Sequence, residues 1–140
     1  MMREPEVVRL VAEALKAGGL LGLTVRYRGP GPDIEGDLPR SGRHLFVEAK
    51  GVRARTSPRV AVGEALLQVL SRWDTDVVCA VAVPYTQEFE NVLRDILPGI
   101  RRLGLHLLLA RPQGIWHLHP EARGFLPERA ASLVEALDRP

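Results

Sequence analysis

Eight residues in the middle of the chain, "DVVCAVAV" from Asp76 to Val83, are apolar after the first. A short run with no polar alternation is what a strand covered on both faces requires. The fold therefore needs helices on both sides of a sheet, and the neighbouring segments supply two. Before the run, "VAVGEALLQVLSRW" reads as a helix with Val62, Leu66, Val69, Leu70 and Trp73 on its apolar face. After it, "TQEFENVLRDILPGIRRLG" reads as a helix that Pro98 bends or ends.

The remaining segments follow from the same rules. "REPEVVRLVAEALKAGG" is a helix with Pro5 in its first turn, Glu4 and Glu6 toward the N-terminal dipole, and Gly18-Gly19 at its end. Val7, Leu10, Val11, Ala14 and Leu15 share its buried face. "LLGLTVRYR" is a strand broken by "GPGP", "DIEGD" a short extended piece, "LPRSGR" a turn, and "HLFVEAK" a strand stopped at Gly51. "LHLLLA" and "IWHLH" form a hairpin about "RPQG", and "PERAASLVEALD" closes the chain as a helix with a first-turn proline. The order α-β-β-β-α-β-α-β-β-α fits a mixed sheet flanked by helices better than a purely parallel one. With 140 residues, no internal repeat and no low-complexity segment, the expectation is a single domain spanning 1–140.

Composition excludes more than it selects. No apolar run reaches the roughly 18 residues of a membrane span, and the N-terminus is too charged for a secretory signal, so a cytoplasmic protein is expected. The single cysteine, Cys79, rules out an internal disulfide and reads as a small buried hydrophobe. The formal charge of +2 does not by itself argue for nucleic acid. Its distribution says more, because Arg53, Arg55 and Arg59 crowd the loop "VRARTSPR". Guanidinium forks suit phosphate oxygens and would hold a backbone without reading sequence. An ordinary solvated loop accounts for them equally well. His117 and His119 in "WHLHP" share a strand face, lack a third ligand at recognisable spacing, and read as structural. The aromatic residues are dispersed and form no base-stacking platform.

The chain has 17 arginines but only two lysines, and one of these, Lys50, ends a strand two residues after Glu48. Alternation puts Glu48 and Lys50 on one face, with His44 and Phe46 behind them and Val47 and Ala49 on the other. If "DIEGD" pairs with this strand through the "LPRSGR" turn, Asp33 comes beside Glu48. Two carboxylates and an ammonium then converge, a set that can hold Mg²⁺ and activate water against a phosphodiester. The plain alternatives are a turn cap for Asp33 and a same-face ion pair for Glu48 and Lys50. Asp37 competes with Asp33 for the metal role, and Glu35 on the same face reads as solvated.

"PDIEG…LFVEAKG" resembles the PD-(D/E)xK signature of the restriction-endonuclease-like nucleases, which include Holliday-junction resolvases and many repair nucleases. The resemblance implies an α-β-β-β-α-β core over roughly residues 4–83, with a C-terminal α-β-β-α extension. It implies Mg²⁺ (or Mn²⁺) held by Asp33, Glu48 and the main-chain carbonyl of Ala49, with Lys50 assisting catalysis. Family members often add an acid from the first helix, for which Glu6 is preferred over Glu13, and a glutamine on the next helix. "EALLQVL" places Gln68 there with Glu64 one turn earlier, but Arg72 stands where the family's tyrosine would be. The implied activity is metal-dependent hydrolysis of DNA, structured or single-stranded. A non-catalytic nucleic-acid-binding or assembly subunit that keeps the fold is the alternative. The chain is too short for a separate sequence-reading module, so specificity would come from nucleic-acid shape, from a homodimer or from a partner protein.

Overall fold

The computed structural model describes residues 1–120, 128–129 and 132–139. Its elements run α1 (Glu4–Ala17), β1 (Leu21–Val25), β2 (Ile34–Asp37), β3 (His44–Ala49), α2 (Pro58–Leu70), β4 (Val77–Pro84), α3 (Gln87–Leu103), β5 (His106–Arg111), β6 (Gly114–Leu118), β7 (Glu128–Arg129) and α4 (Leu133–Leu137). One mixed sheet takes the strands in sequence order, β1 to β7. The pairs β3–β4 and β4–β5 are parallel and all others antiparallel. This is the α/β sheet expected from the apolar run, which is β4 at its centre.

Topology decides which face each helix covers. The two parallel crossovers, through α2 and α3, both step in the same direction across the sheet, and right-handed connections then put both helices on one face. Ala61, Ala65, Val69, Phe89, Leu93 and Ile100 form that core with the outward side chains of β4 and β5, Cys79 among them. On the opposite face α1 and α4 pack Val7, Val11, Leu15, Leu133 and Leu137 against Ile34, Leu45, Val47 and Leu108. Fully burying each leucine or valine contributes about 1.5–3 kcal/mol. Two cores on two faces therefore tie first helix, sheet and last helix together.

Several local expectations are corrected. On α2, small Ala61 and Ala65 face the sheet with Val62 and Val69, while Leu66 is half-buried and Leu70 and Trp73 are exposed. The helix is apolar nearly all round, so its pattern did not fix its inward face. The α3 helix runs unbroken through Pro98. Pro98 is exposed, and the buried apolar stripe on the other side of the helix outweighs the one backbone bond it removes. At the C-terminus, Glu128 and Arg129 pair with β6 as a strand rather than opening a helix. The preceding Pro127 and the following Ala130 and Ala131 lie outside the described residues, and α4 begins only at Leu133. No helix among the described residues is long and apolar enough to cross a membrane.

Candidate active site

The site grows out of the β2–β3 hairpin. Ile34 faces Val47 and Glu35 faces Phe46, so one further step of the same register sets Asp33 opposite Glu48. The Oδ2 of Asp33 accepts the Ala49 N–H at 2.8 Å, which fixes the aspartate across the strand end. Glu48 is 2% exposed and Lys50 8% exposed, both unusually low for ionisable side chains. Beyond Ala49 the chain stays tied to β4, with the Lys50 N–H donating to the Ala82 carbonyl at 2.9 Å.

Burial and the adjacent Asp33, whose carboxyl is within hydrogen-bonding reach, push the Glu48 pKa up to about 7, against the pull of Arg72 and Lys50. Arg72, just past the end of α2, donates from Nη1 to Glu48 Oε1 at 2.7 Å and to the Gln68 carbonyl at 3.0 Å. The ammonium of Lys50 lies 3.4 Å from Glu64 Oε2 and 3.9 Å from Glu4 Oε1. Glu64 also accepts from Arg53 at 2.9 Å. Slight burial is outweighed by Lys50 and Arg53, which hold its carboxyl below the usual range.

The first-helix acid that the structure brings to Lys50 is Glu4, where the sequence pointed to Glu6. Gly51 is the reason. A Cβ there would lie 2.1 Å from the Glu4 backbone nitrogen and 2.3 Å from the Arg3 carbonyl carbon, so only glycine lets the start of α1 settle on the end of β3. The Val52 N–H, bonded to the Met2 carbonyl at 2.9 Å, fastens the same junction. The first residue of the helix thus reaches the site. Burial, with Asp33 next, raises the Glu4 pKa. Glu13 instead pairs with Arg9 at 3.1 Å on the outer surface.

The structure brings Asp33, Glu48, Lys50, Glu64 and Arg53 together, and adds Glu4 and Arg72. Gln68 is exposed on α2, and only its carbonyl meets Arg72. Arg59 pairs with Asp95 at 2.6 Å, and Arg55 sits at the loop tip with φ of 61°. Asp37 and Glu35 belong elsewhere: His44 bonds Asp37 at 2.7 Å and Glu35 at 2.9 Å, and Glu35 also pairs with Arg26. Glu35 is therefore engaged rather than merely solvated. Arg72 escaped the sequence reading because it registered only as a missing tyrosine, although its spacing from Gln68 marked the right turn of helix.

A second buried polar group lies on the other sheet face. His106 Nδ1 and His117 Nε2 are 2.7 Å apart and their rings stack, with His119 edge-on to both. His117 Nδ1 has no hydrogen-bond partner among the described residues. Burial, followed by the neighbouring His119, lowers the His117 pKa to about 4.

Among the described residues, no three His, Cys, Asp or Glu side chains are grouped as a preformed metal cage. The donor chemistry at Asp33 and Glu48 nevertheless suits a hard cation that keeps water and shares substrate oxygens: a half-buried carboxylate stands beside a buried one, whose ionisation burial and that neighbour both oppose. No family model, curated protein or solved structure matches the chain.

Proposed function

We propose that this protein is a metal-dependent nuclease with a restriction-endonuclease-like core, hydrolysing phosphodiester bonds in DNA. The observation that carries the reading is the placement of half-buried Asp33 opposite the buried Glu48, with the buried Lys50 two residues on, at the carboxyl end of a parallel strand. A structural carboxylate gains nothing from a buried like-charged neighbour, and perturbed groups of this kind concentrate at functional sites. Mg²⁺ or Mn²⁺ bound by Asp33, Glu48 and the Ala49 carbonyl would supply a Lewis acid for the phosphoryl group and an activated water. Asp33 is oriented for this by the Ala49 N–H, and Glu48 by Arg72. Lys50, held between Glu4 and Glu64, orients the attacking water and offsets charge that develops on phosphorus. Arg53, Arg55 and Arg59 hold the backbone. The surface ion pairs of Arg53 and Arg59 contribute little and exchange readily for phosphate.

A second reading has its own support. Arg72 already neutralises Glu48 without any metal, as a non-catalytic binding subunit would require. The test is a cleavage assay on supercoiled plasmid, single-stranded DNA and a four-way junction, with Mg²⁺, Mn²⁺ or EDTA. Cutting by wild type that requires the metal and disappears in Lys50→Ala supports the nuclease. Binding without cutting by wild type supports the second reading, and neither binding nor cutting rejects both.

A further inference from the structure

Next to the site is a cavity of about 360 Å³, within the roughly 300–1,000 Å³ typical of ligand sites. It opens outside the carboxyl ends of β3 and β4, the usual place for ligands in open α/β sheets. Gly51 and Val52 form one wall, Pro58 and Ala61 of α2 a second, and Gln87 and Phe89 of α3 a third. The interior is therefore mostly apolar. Gly51 directly follows Lys50, about 3.8 Å further along the Cα trace. The ammonium of Lys50 is 3.4 Å from Glu64, one helical turn along α2 from the lining residue Ala61, so a phosphate at Lys50 lies within a nucleotide's reach of the cavity.

The rim has the opposite chemistry. Arg53 and Thr56 are bridged, making residues 53–56 a tight turn that carries Arg55 at its tip. Thr56 lines the cavity, and Arg59 directly follows the lining residue Pro58. An apolar interior with guanidinium groups at its edge complements a nucleotide, whose base is flat and weakly polar and whose phosphates are anionic. Glu88, also at the lining, offers an acceptor to an exocyclic amino group.

Resting on the nuclease reading above, we propose that this cavity receives one unpaired nucleobase adjacent to the scissile phosphate. The substrate is then DNA that is single-stranded or unpaired at the cut. A base inside a duplex cannot enter without being unstacked, at a cost of a few kcal/mol.

The experiment is an abasic scan on the full-length protein. A single-stranded oligonucleotide carries one abasic site, moved position by position past the cleavage point, and kcat/KM is measured with Mg²⁺. One position flanking the cut should lose about tenfold, the scale of a single bound base, and the fully paired duplex should be cut more slowly. In Gln87→Trp, which puts a bulky ring on an exposed wall of the cavity, the intact strand should fall to the rate of the abasic strand, and the abasic strand should be cut equally by both proteins. Circular dichroism checks that this variant folds; if it does not, the wild-type scan decides alone. Cleavage that stays within twofold at every abasic position overturns the cavity assignment and leaves the nuclease reading intact. Failure to cut any substrate overturns the nuclease reading and the cavity assignment with it.

Discussion

The β2–β3 hairpin carries two sets of carboxylates, and they are built differently. Toward its turn, Glu35 and Asp37 share His44, and Glu35 also meets Arg26. Burial, the largest single cause, raises the Glu35 pKa, but His44 and Arg26 together outweigh it and the net shift is downward. Burial likewise opposes the charged form of His44, and its two carboxylate partners overcome it, raising its pKa. At the open end of the same hairpin, half-buried Asp33 stands opposite buried Glu48, and the Glu48 pKa is pushed to about 7. One cluster is charge-matched and half-exposed; the other sets a buried acid beside a half-buried one. The first holds the hairpin together. The second keeps Glu48 reluctant to ionise in spite of Arg72 and Lys50, and it is the end at which the proposed metal site lies.

The largest predicted effect separates the two sets by activity. Asp33→Asn or Glu48→Gln should lower metal-dependent cleavage about a thousandfold, the scale of losing a key electrostatic group. Melting temperatures should hold or rise, because each amide oxygen can still accept from the Ala49 N–H or from Arg72 while a like-charged neighbour is removed. Thermal melts and cleavage rates measured on the same preparations check both parts.

A pH series sharpens the contrast. The folded pKa of Glu48, about 7, lies above its ordinary 4.5. The folded state therefore binds the extra proton, and stability falls as pH rises from 4.5 to 7. The gain from Glu48→Gln should grow across that window to at most about 3 kcal/mol, read from denaturant titrations. His44, whose pKa is raised by its partners, stabilises fully below 6.5 and loses that contribution as pH rises through its folded value. Substituting Glu35 should have the converse profile of effects: Glu35→Ala should cost about 1–2 kcal/mol near neutral pH and leave the cleavage rate within about twofold. The smallest effect is expected from Gln68→Ala. Its side chain is exposed, so both stability, within about 0.5 kcal/mol, and cleavage should stay near wild type.

How far the sequence showed this arrangement depended on whether local pattern or distant packing decided it. Strand alternation and the turn between Asp37 and His44 were enough to bring Asp33 to Glu48, because a hairpin register is local. The choice of Glu4 over Glu6 was not legible from the helix, since both lie near its start. It is set by Gly51, which is distant in sequence and decides how closely the two backbones approach. Arg72 was hidden for a similar reason: reaching Glu48 depends on how α2 lies across β3, and an outwardly apolar α2 gave no usable stripe. The buried histidine pair was half visible. His117 and His119 share a face, but His106 joins them only through the β5–β6 register, which extends to set His106 opposite His119.

The most direct test of the account is isothermal titration of Mn²⁺ into wild type and Glu48→Gln at pH 7, repeated in buffers of different ionisation enthalpy. A carboxyl with pKa about 7 is half-protonated there and must ionise to bind metal. Wild type should therefore bind with release of about half a proton per ion, and Glu48→Gln should bind at least about tenfold more weakly with no such release. Equal binding by both proteins, or no binding by wild type, would contradict the assignment of Asp33 and Glu48 as a metal site.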